Sequence, residues 1–420
     1  MDRRKFLKGT GAACGLMFVK PSTAFGYAAN SAVRYGLLGC GNRGTSVATS
    51  FARNTDARIV ALGDIFPDQL AKGKKHFDQV NASLGKAVID PKLTFHGWDA
   101  YKAMAANPNI DAVQISTPPI FHVEHLDVLT AGGKHVYVEK PVGVDVPQTR
   151  RALDIAKRID GKVSVAVGFQ IRKATPFVEL AKRIHAGDIG KIASLSGYYN
   201  APPAVFHDVP NVSAEEFRLR NWLRDKTLSG DILLEQNIHV IDVCNWFLGA
   251  HPIKADARAS RKVLKDYGNT SDNYEVIFTY PGDVQFVFNS TQFNFKGFFD
   301  VAEHIFGTDG VAEAPYRGPL RILGPKAWTW DGPKAKTPSK FAEDGAFTDN
   351  LSDADPKKDQ DFIGSITSNQ FQNQIATGVE SARTCILGRM SAELGRAATW
   401  EELMANNTAY EVGIDITKFH

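Results

Sequence analysis

Residues 33–64 constrain the fold of this chain more than any other stretch. A short apolar run, 33–38, ends in Gly39-Cys40-Gly41-Asn42-Arg43-Gly44. A helical pattern over 45–53 follows, and a second apolar run, 58–62, leads to Asp64. Gly-x-Gly-x-x-Gly turns are common on their own. One that leaves a strand, opens a helix and stands 20 residues before an acidic residue at the end of the next strand is a dinucleotide-binding fingerprint. Gly39, Gly41 and Gly44 let the backbone approach a pyrophosphate, whose charge sits at the positive end of the helix; Asn42 belongs to the same turn, and Arg43 adds a side-chain charge. Asp64 is expected to accept hydrogen bonds from a ribose 2′-hydroxyl and to repel a 2′-phosphate, which favours NAD over NADP.

The same rhythm continues. Residues 112–116 form a strand closed by Thr117-Pro118-Pro119, residues 124–130 a helix stopped at Gly132-Gly133, and residues 135–138 a strand running into Glu139-Lys140-Pro141. Strands alternating with helices in this way predict a parallel doubly wound sheet, an N-terminal Rossmann domain over 31–160. Beyond 160 the pattern changes. Residues 163–167 are still a buried strand, but 192–199 and the pair 275–280 and 284–289, joined by Pro281-Gly282-Asp283, read as longer strands of an open, largely antiparallel sheet. Residues 237–248 are apolar at helical spacing, so 161–420 is expected to be a second α/β domain. Residues 330–360, rich in Pro, Lys, Asp and Gly, read as a surface excursion. Helices are expected around 363–377 and 379–395, and Thr399 with Glu402 as a capping box.

The first 30 residues stand apart. Arg3-Arg4 with Phe6 and Leu7 behind them, an uncharged stretch over 9–19 and small residues near Ala24, Ala28 and Ala29 have the three-part layout of a twin-arginine export signal. The uncharged stretch is too short to span a bilayer, so no stable membrane insertion is expected. The expected partner is the twin-arginine export machinery and the expected location periplasmic or otherwise exported. The signal also distorts the charge: residues 1–29 carry +4 of the formal +3, leaving −1 for the rest, which implies no nucleic-acid surface. Cys14, Cys40, Cys244 and Cys385 have the spacing of neither a metal site nor a disulfide ladder and read as packing residues; no metal is implied.

Chemistry points to two places. Lys140, at the carboxyl end of a strand of the first sheet, lies where ligands collect in open α/β folds. Glu235 and His239 are four residues apart, one face of a helix, and Asp242 is three beyond His239, where its carboxylate can orient the imidazole. Oxidising an alcohol requires a base for the hydroxyl proton, and an imidazole suits that near neutral pH.

These residues resemble the glucose-fructose oxidoreductase and inositol dehydrogenase family, Gfo/Idh/MocA. The resemblance rests on 39–44, on Ser116-Thr117-Pro118 with His122, on Gly132-Gly133-Lys134-His135-Val136 leading into Glu139-Lys140-Pro141, on Gly168-Phe169-Gln170 with Arg172, on 187–191 and on 230–249. It implies that Ser116, Thr117, Pro118, His122, Glu139, Lys140 and Gln170 belong to the cofactor pocket. It further implies that Lys140 contacts the reacting hydroxyl and that His239 is the catalytic base. Family dehydrogenases often carry Asp where this chain has Glu235, a shift of about one methylene that changes which hydroxyl is addressed. The resemblance also suggests a homo-dimer or homo-tetramer built on the open face of the second sheet.

The expected activity is that of an NAD-dependent oxidoreductase acting on a sugar, glycoside or polyol. Catalysis would fall to Lys140, His239 and Glu235, and Arg172, Tyr199, Trp222 and Asp242 would lie toward the substrate. Tyr198 is a further stacking candidate, and Arg218 and Arg220 are further polar contacts. Export of an already folded enzyme implies a retained NAD recycled within one active site. Two alternatives remain open: an NAD-dependent glycoside hydrolase working by transient oxidation, elimination and hydration, and a non-catalytic sugar-binding protein.

Overall fold

The computed structural model describes residues 32–265, 267–332 and 349–419. The export signal expected over 1–30, with Cys14, lies outside the described residues, as does 333–348 of the expected excursion.

Six parallel strands make the first sheet: β1 (Arg34–Leu38), β2 (Arg58–Asp64), β3 (Thr94–His96), β4 (Ala112–Ile115), β5 (His135–Val138) and β6 (Val165–Val167), in the order β3-β2-β1-β4-β5-β6. The order reverses between β1 and β4, which opens a crevice at the carboxyl ends of these strands, the ligand position of doubly wound folds. Alternation along β5 sends Val136 and Val138 to one apolar cluster and Tyr137 to another, because helices cover both faces.

The second sheet has nine strands. They are β7 (Ile192–Asn200), β8 (Lys254–Ser260), β9 (Asn273–Tyr280), β10 (Val284–Thr291), β11 (Asp300–Gly307), β12 (Val311–Pro315), β13 (Arg321–Leu323), β14 (Trp328–Thr329) and β15 (Ala398–Thr399), in the order β14-β13-β12-β11-β7-β10-β9-β8-β15. Only the β10–β7 pairing is parallel. One face packs against the helices Ile238–Leu248 and Ile375–Leu394; at Gly197 an added Cβ would sit 2.9 Å from Val240, so glycine lets that helix approach the sheet.

The expected architecture is present, and several boundaries move. β6 belongs to the first sheet although it lies past residue 160, and the core running through Val136, Val138, Leu195 and Phe286 is continuous, so Val33–His420 forms one compact unit. The excursion ends earlier than expected: Ala354–Thr367 is helical, and its Phe362 is fully buried against Phe51 and Tyr137 of the first sheet's layer. Pro, Lys and Asp made this helix look like loop, yet Pro356 lies in its first turn, where no backbone donor is lost. The next helix runs unbroken over Ile375–Leu394, and the capping box of Thr399 and Glu402 is formed.

Candidate active site

The glycine turn has the geometry its sequence implies. Gly39 adopts φ +95° with its Cα against Ser116; a Cβ there would lie 2.6 Å from the Ser116 carbonyl oxygen. Gly44 is as confined, since a Cβ would meet the Gly39 carbonyl at 2.0 Å, whereas Gly41, the N-cap of the helix Asn42–Asn54, faces open space. Two glycines therefore shape the turn and the third leaves room at a helix N-terminus, a cradle that fits a dinucleotide pyrophosphate. Gln114 braces it, donating to the Gly44 carbonyl at 3.0 Å and to Ser116 Oγ at 2.8 Å.

Asp64 closes the β2 side. Its carboxylate accepts from the backbone N–H of Cys40 at 2.6 Å and of Phe66 at 2.8 Å. Burial raises its pKa, and those two hydrogen bonds work against the rise. Asp64 thus holds the glycine turn, at the strand end where the sequence pattern expects the ribose contact.

The polar side chains of three expected pocket residues, Arg43, His122 and Thr117, are engaged within the protein. Arg43 does not point along the phosphate turn: its Nε donates to Glu139 Oε1 at 3.1 Å and its Nη2 to Gln170 Oε1 at 3.0 Å, because these acceptors line the adjacent strand ends. Burial opposes the Arg43 charge, and Glu139 together with Tyr137 and Asp355 more than restores it. His122 is buried and its ring nitrogens lie 2.9 Å from the Pro141 carbonyl oxygen and 2.8 Å from that of Thr117. It therefore sits between the loop after β4 and the loop carrying Lys140, and with burial lowering its pKa its single N–H donates to one of the two carbonyls. Thr117 in turn spends its hydroxyl on His125 Nδ1 at 3.0 Å, and Pro118 leads into the 3-10 turn Pro119–Phe121.

At the other side of the crevice, Lys140 Nζ donates to Glu235 Oε1 at 2.7 Å and also to the Glu235 carbonyl; the paired side chains are 10% and 12% exposed. Glu235 and His239 do not share one helix. Ile232–Glu235 is a short helix, the chain breaks at Gln236 and Asn237, and Ile238–Leu248 begins anew. The break frees the Glu235 carbonyl for Lys140. His239 packs edge-on to Phe169, with ring centres 6.3 Å apart, and its Nδ1 is buried with no hydrogen-bond partner in the protein. Burial first, then the cations of Lys140 and Arg43, hold its pKa well below 6.5. The imidazole is neutral at neutral pH, as a proton acceptor must be.

Asp242 does not orient His239. It accepts from Arg172 Nε at 2.8 Å and Nη2 at 3.0 Å and from Ser381 Oγ at 2.6 Å, and it is 1% exposed. Arg172 also lies over the Trp246 ring, so two of its guanidinium nitrogens are held by Asp242 while its side chain stays 24% exposed. A carboxylate three residues on along the helix met a better donor, the planar guanidinium, in the layer behind.

The aromatic candidates separate. Tyr199 is buried on the face of β7 that meets the helix layer and packs edge-on to Phe299, while Tyr198 points to the opposite face beside His304. Trp222 is half-buried against the core. Arg218 pairs with Asp225, and Arg220 with Asp68 and Glu216.

Two supporting residues escaped the sequence reading. Asp231, fully buried at φ +77°, caps the helix bearing Glu235 and accepts from Ser271 and Tyr274; an Asp directly before the apolar run 232–234 was its available signal. Arg389 donates to the carbonyls of Gly230 and Val144, both at 2.8 Å, and so ties the Glu235 segment to the loop after Lys140. Nothing local in the sequence marks it. Among the described residues no helix is long and apolar enough to cross a membrane.

Two family models match the chain: the oxidoreductase family with an NAD-binding Rossmann fold over residues 33–167, and the GFO/IDH/MocA C-terminal domain over 177–313. Inositol 2-dehydrogenase of Rhizobium meliloti (strain 1021) is 28% identical over 293 residues, 69% of this chain and 78% of that protein. A glycosyl hydrolase family 109 protein of Streptomyces niveus is 27% identical over 170 residues, 40% of this chain and 33% of that protein. Among solved structures, scyllo-inositol dehydrogenase from Lactobacillus casei with bound cofactor NAD(H) and scyllo-inositol matches with a TM-score of 0.66 at 19% identity, over 88% of this chain and 99% of that one, a likeness of fold.

Proposed function

The chain belongs to the GFO/IDH/MocA family of NAD-binding oxidoreductases, and from that premise we propose that it is an exported enzyme that oxidises a CH–OH group of a sugar, glycoside or polyol and keeps its NAD through the catalytic cycle. The observation that carries the reading is the pairing of Lys140 with Glu235 beside a neutral, half-buried His239 whose buried Nδ1 has no partner in the protein. NAD, when bound, supplies the hydride acceptor. The residues supply the rest. His239 takes the hydroxyl proton, Lys140 holds the hydroxyl oxygen, and Glu235 fixes the ammonium while keeping the local charge near zero. The glycine turn and Asp64 hold the dinucleotide.

Export rests on the twin-arginine layout of the first 30 residues, and retention of NAD follows from it, since a compartment without a nicotinamide pool cannot replace a lost cofactor. Assembly into a dimer or tetramer is supported by the open face of the second sheet. Ile277, Val287 and Phe306 there are 46%, 47% and 39% exposed, and the first two stand opposite each other on β9 and β10. The likeness to the family 109 glycosyl hydrolase favours one other reading, a glycosidase that uses NAD only transiently.

The test is to purify the exported protein without added cofactor, denature it and assay the supernatant for NAD, NADH, NADP and NADPH. Near-stoichiometric NAD or NADH is expected. An empty protein that turns over with added NAD would overturn retention. Release of sugar from an aryl glycoside without net reduction of NAD would replace the dehydrogenase reading with the hydrolase.

A further inference from the structure

Residues 406–419, which follow the helix Trp400–Ala405 and include the 3-10 turn Ile416–Lys418, pair with no strand, yet ahead of that turn they alternate. Tyr410, Val412, Ile414 and Ile416 are half-buried against the core, and Glu411, Gly413, Asp415 and Thr417 are exposed between them. An extended segment with one apolar side is held by what it lies on, and its attachments can be followed in order. Asn407 accepts from Arg150 at 2.5 Å, and Tyr410 donates its N–H to Asp145 at 2.8 Å with its ring under Arg389. Arg218 donates to the Val412 carbonyl at 2.6 Å, and Lys418 pairs with Glu215 at 2.7 Å. The Phe419 carbonyl then accepts from the backbone N–H of Trp98 at 2.8 Å, and its ring meets that of Phe66 edge-on, centres 6.1 Å apart.

The segment thus finishes at the carboxyl ends of β2 and β3. Phe66 donates to Asp64, and Gly97, next to Trp98, donates to the Asp64 carbonyl at 3.0 Å. A second element arrives at the same place from the other sheet's side of the chain. Arg220, only 14% exposed, bonds Asp68 at 2.7 Å and lays its guanidinium 4.0 Å from the centre of the Phe66 ring. In a doubly wound fold the acidic residue ending β2 marks the adenosine ribose, so this is the adenosine end of the crevice.

We infer that Arg220 and the segment 406–419, through Phe419, close the crevice beyond Asp64 and retain the adenosine half of the cofactor. The inference builds on the retained-NAD reading and names the residues responsible for it. The logic is kinetic. A dinucleotide leaving a crevice bordered only by the glycine turn and Asp64 need break only contacts with the first sheet. With Arg220 and Phe419 over Phe66, its departure also requires an ion pair and a packed ring to part, and since entry parts the same contacts, exchange as a whole is slowed.

The test compares full-length protein with Phe419→Ala, Arg220→Ala and the double variant, using the exposed Lys157→Ala on the helix Val146–Ile159 as control. NAD carried through purification and the rate at which bound NAD exchanges with an excess of labelled NAD are both measured, and circular dichroism confirms the fold. Exchange at least tenfold faster in the double variant, with Lys157→Ala unchanged, is the expected result. Equal exchange in parent and double variant overturns the inference even where the parent retains NAD. A parent that purifies empty but exchanges added NAD more slowly than the variants overturns retention and leaves the closing role of Arg220 and Phe419 standing. Should the double variant fail to fold, Phe419→Ala, one residue from the end of the chain and half-buried, gives the same comparison.

Discussion

His239 carries a definite pH signature. Burial, with Lys140 and Arg43 adding to it, lowers its pKa well below 6.5, so the folded protein binds no proton there at a pH where a free imidazole begins to. Activity through a neutral His239 should therefore stay level as pH falls through 6.5 and decline only below it. Stability follows the same sign: below 6.5 the unfolded chain takes up a proton that the folded chain refuses, and folding weakens as pH drops. The pH profile of kcat/KM checks this, and an acid limb centred at 6.5 or above would place the titrating base elsewhere. Lys140→Ala should lower turnover by about 10²-fold or more. It also strands Glu235, 12% exposed, without its cation, so the single variant mixes lost chemistry with lost stability. Lys140→Ala combined with Glu235→Gln removes the stranded charge; the melting temperature should recover and the turnover should not. Recovery of both would remove Lys140 from the chemistry. At this scale the sequence was legible where residues act through local geometry, as in the glycine turn and the Lys140 motif. It misled where partners come from afar. Asp242 was paired with His239 by spacing, and only the folded chain brings Arg172 and Ser381 to it.

Between residues and fold, elements are placed by what they bury, and the helix Ala354–Thr367 shows why composition alone misjudged it. Its polar residues form a buried set of their own. Lys358, 4% exposed, pairs with Asp355 and Asp359, and Asp359 accepts from Ser50 and Asn54 of the helix that follows the glycine turn. A Pro-, Lys- and Asp-rich stretch therefore docks against the first sheet through charge as well as through Phe362. Phe362→Ala should cost about 3–5 kcal/mol, because the ring is fully buried between Phe51 and Tyr137. Urea denaturation checks the figure, and a loss below about 1 kcal/mol would mean that the helix is not seated there. Arg389 makes a different prediction. Its two hydrogen bonds join the segment bearing Glu235 to the loop after Lys140, so Arg389→Lys, which keeps the charge but loses the planar fork, should lower kcat more than it raises KM. A change confined to KM would show that the clamp serves binding alone. No pattern near residue 389 announces this, since its acceptors lie 159 and 245 residues away in the chain.

On the scale of the whole molecule, the alternation of strands and helices sufficed to predict two sheets but not how they share one interior. The reading placed a boundary at 160. The apolar core crosses it, β6 joins the first sheet from beyond it, and the helix Ala354–Thr367 returns to the first sheet from near the far end of the chain. Such returns are set by which face of an element is left uncovered after its neighbours pack, and that is decided in three dimensions. The consequence is mechanical. Lys140 and Asp64 belong to one sheet's loops, and Glu235 and His239 to the helices that pack with the other, so the site exists only while both are folded. Because Val33–His420 is a single compact unit, calorimetry should record one cooperative transition. NAD should move that transition as a whole, by about 2.7 kcal/mol at a free concentration 100 times its dissociation constant, and NADP should move it less because Asp64 meets the added phosphate. Measured on protein stripped of cofactor, two transitions of which NAD shifts only one would show that the halves unfold independently. The pair of Lys140 and Glu235 would then be held by the docking of two separately stable domains rather than by a shared core.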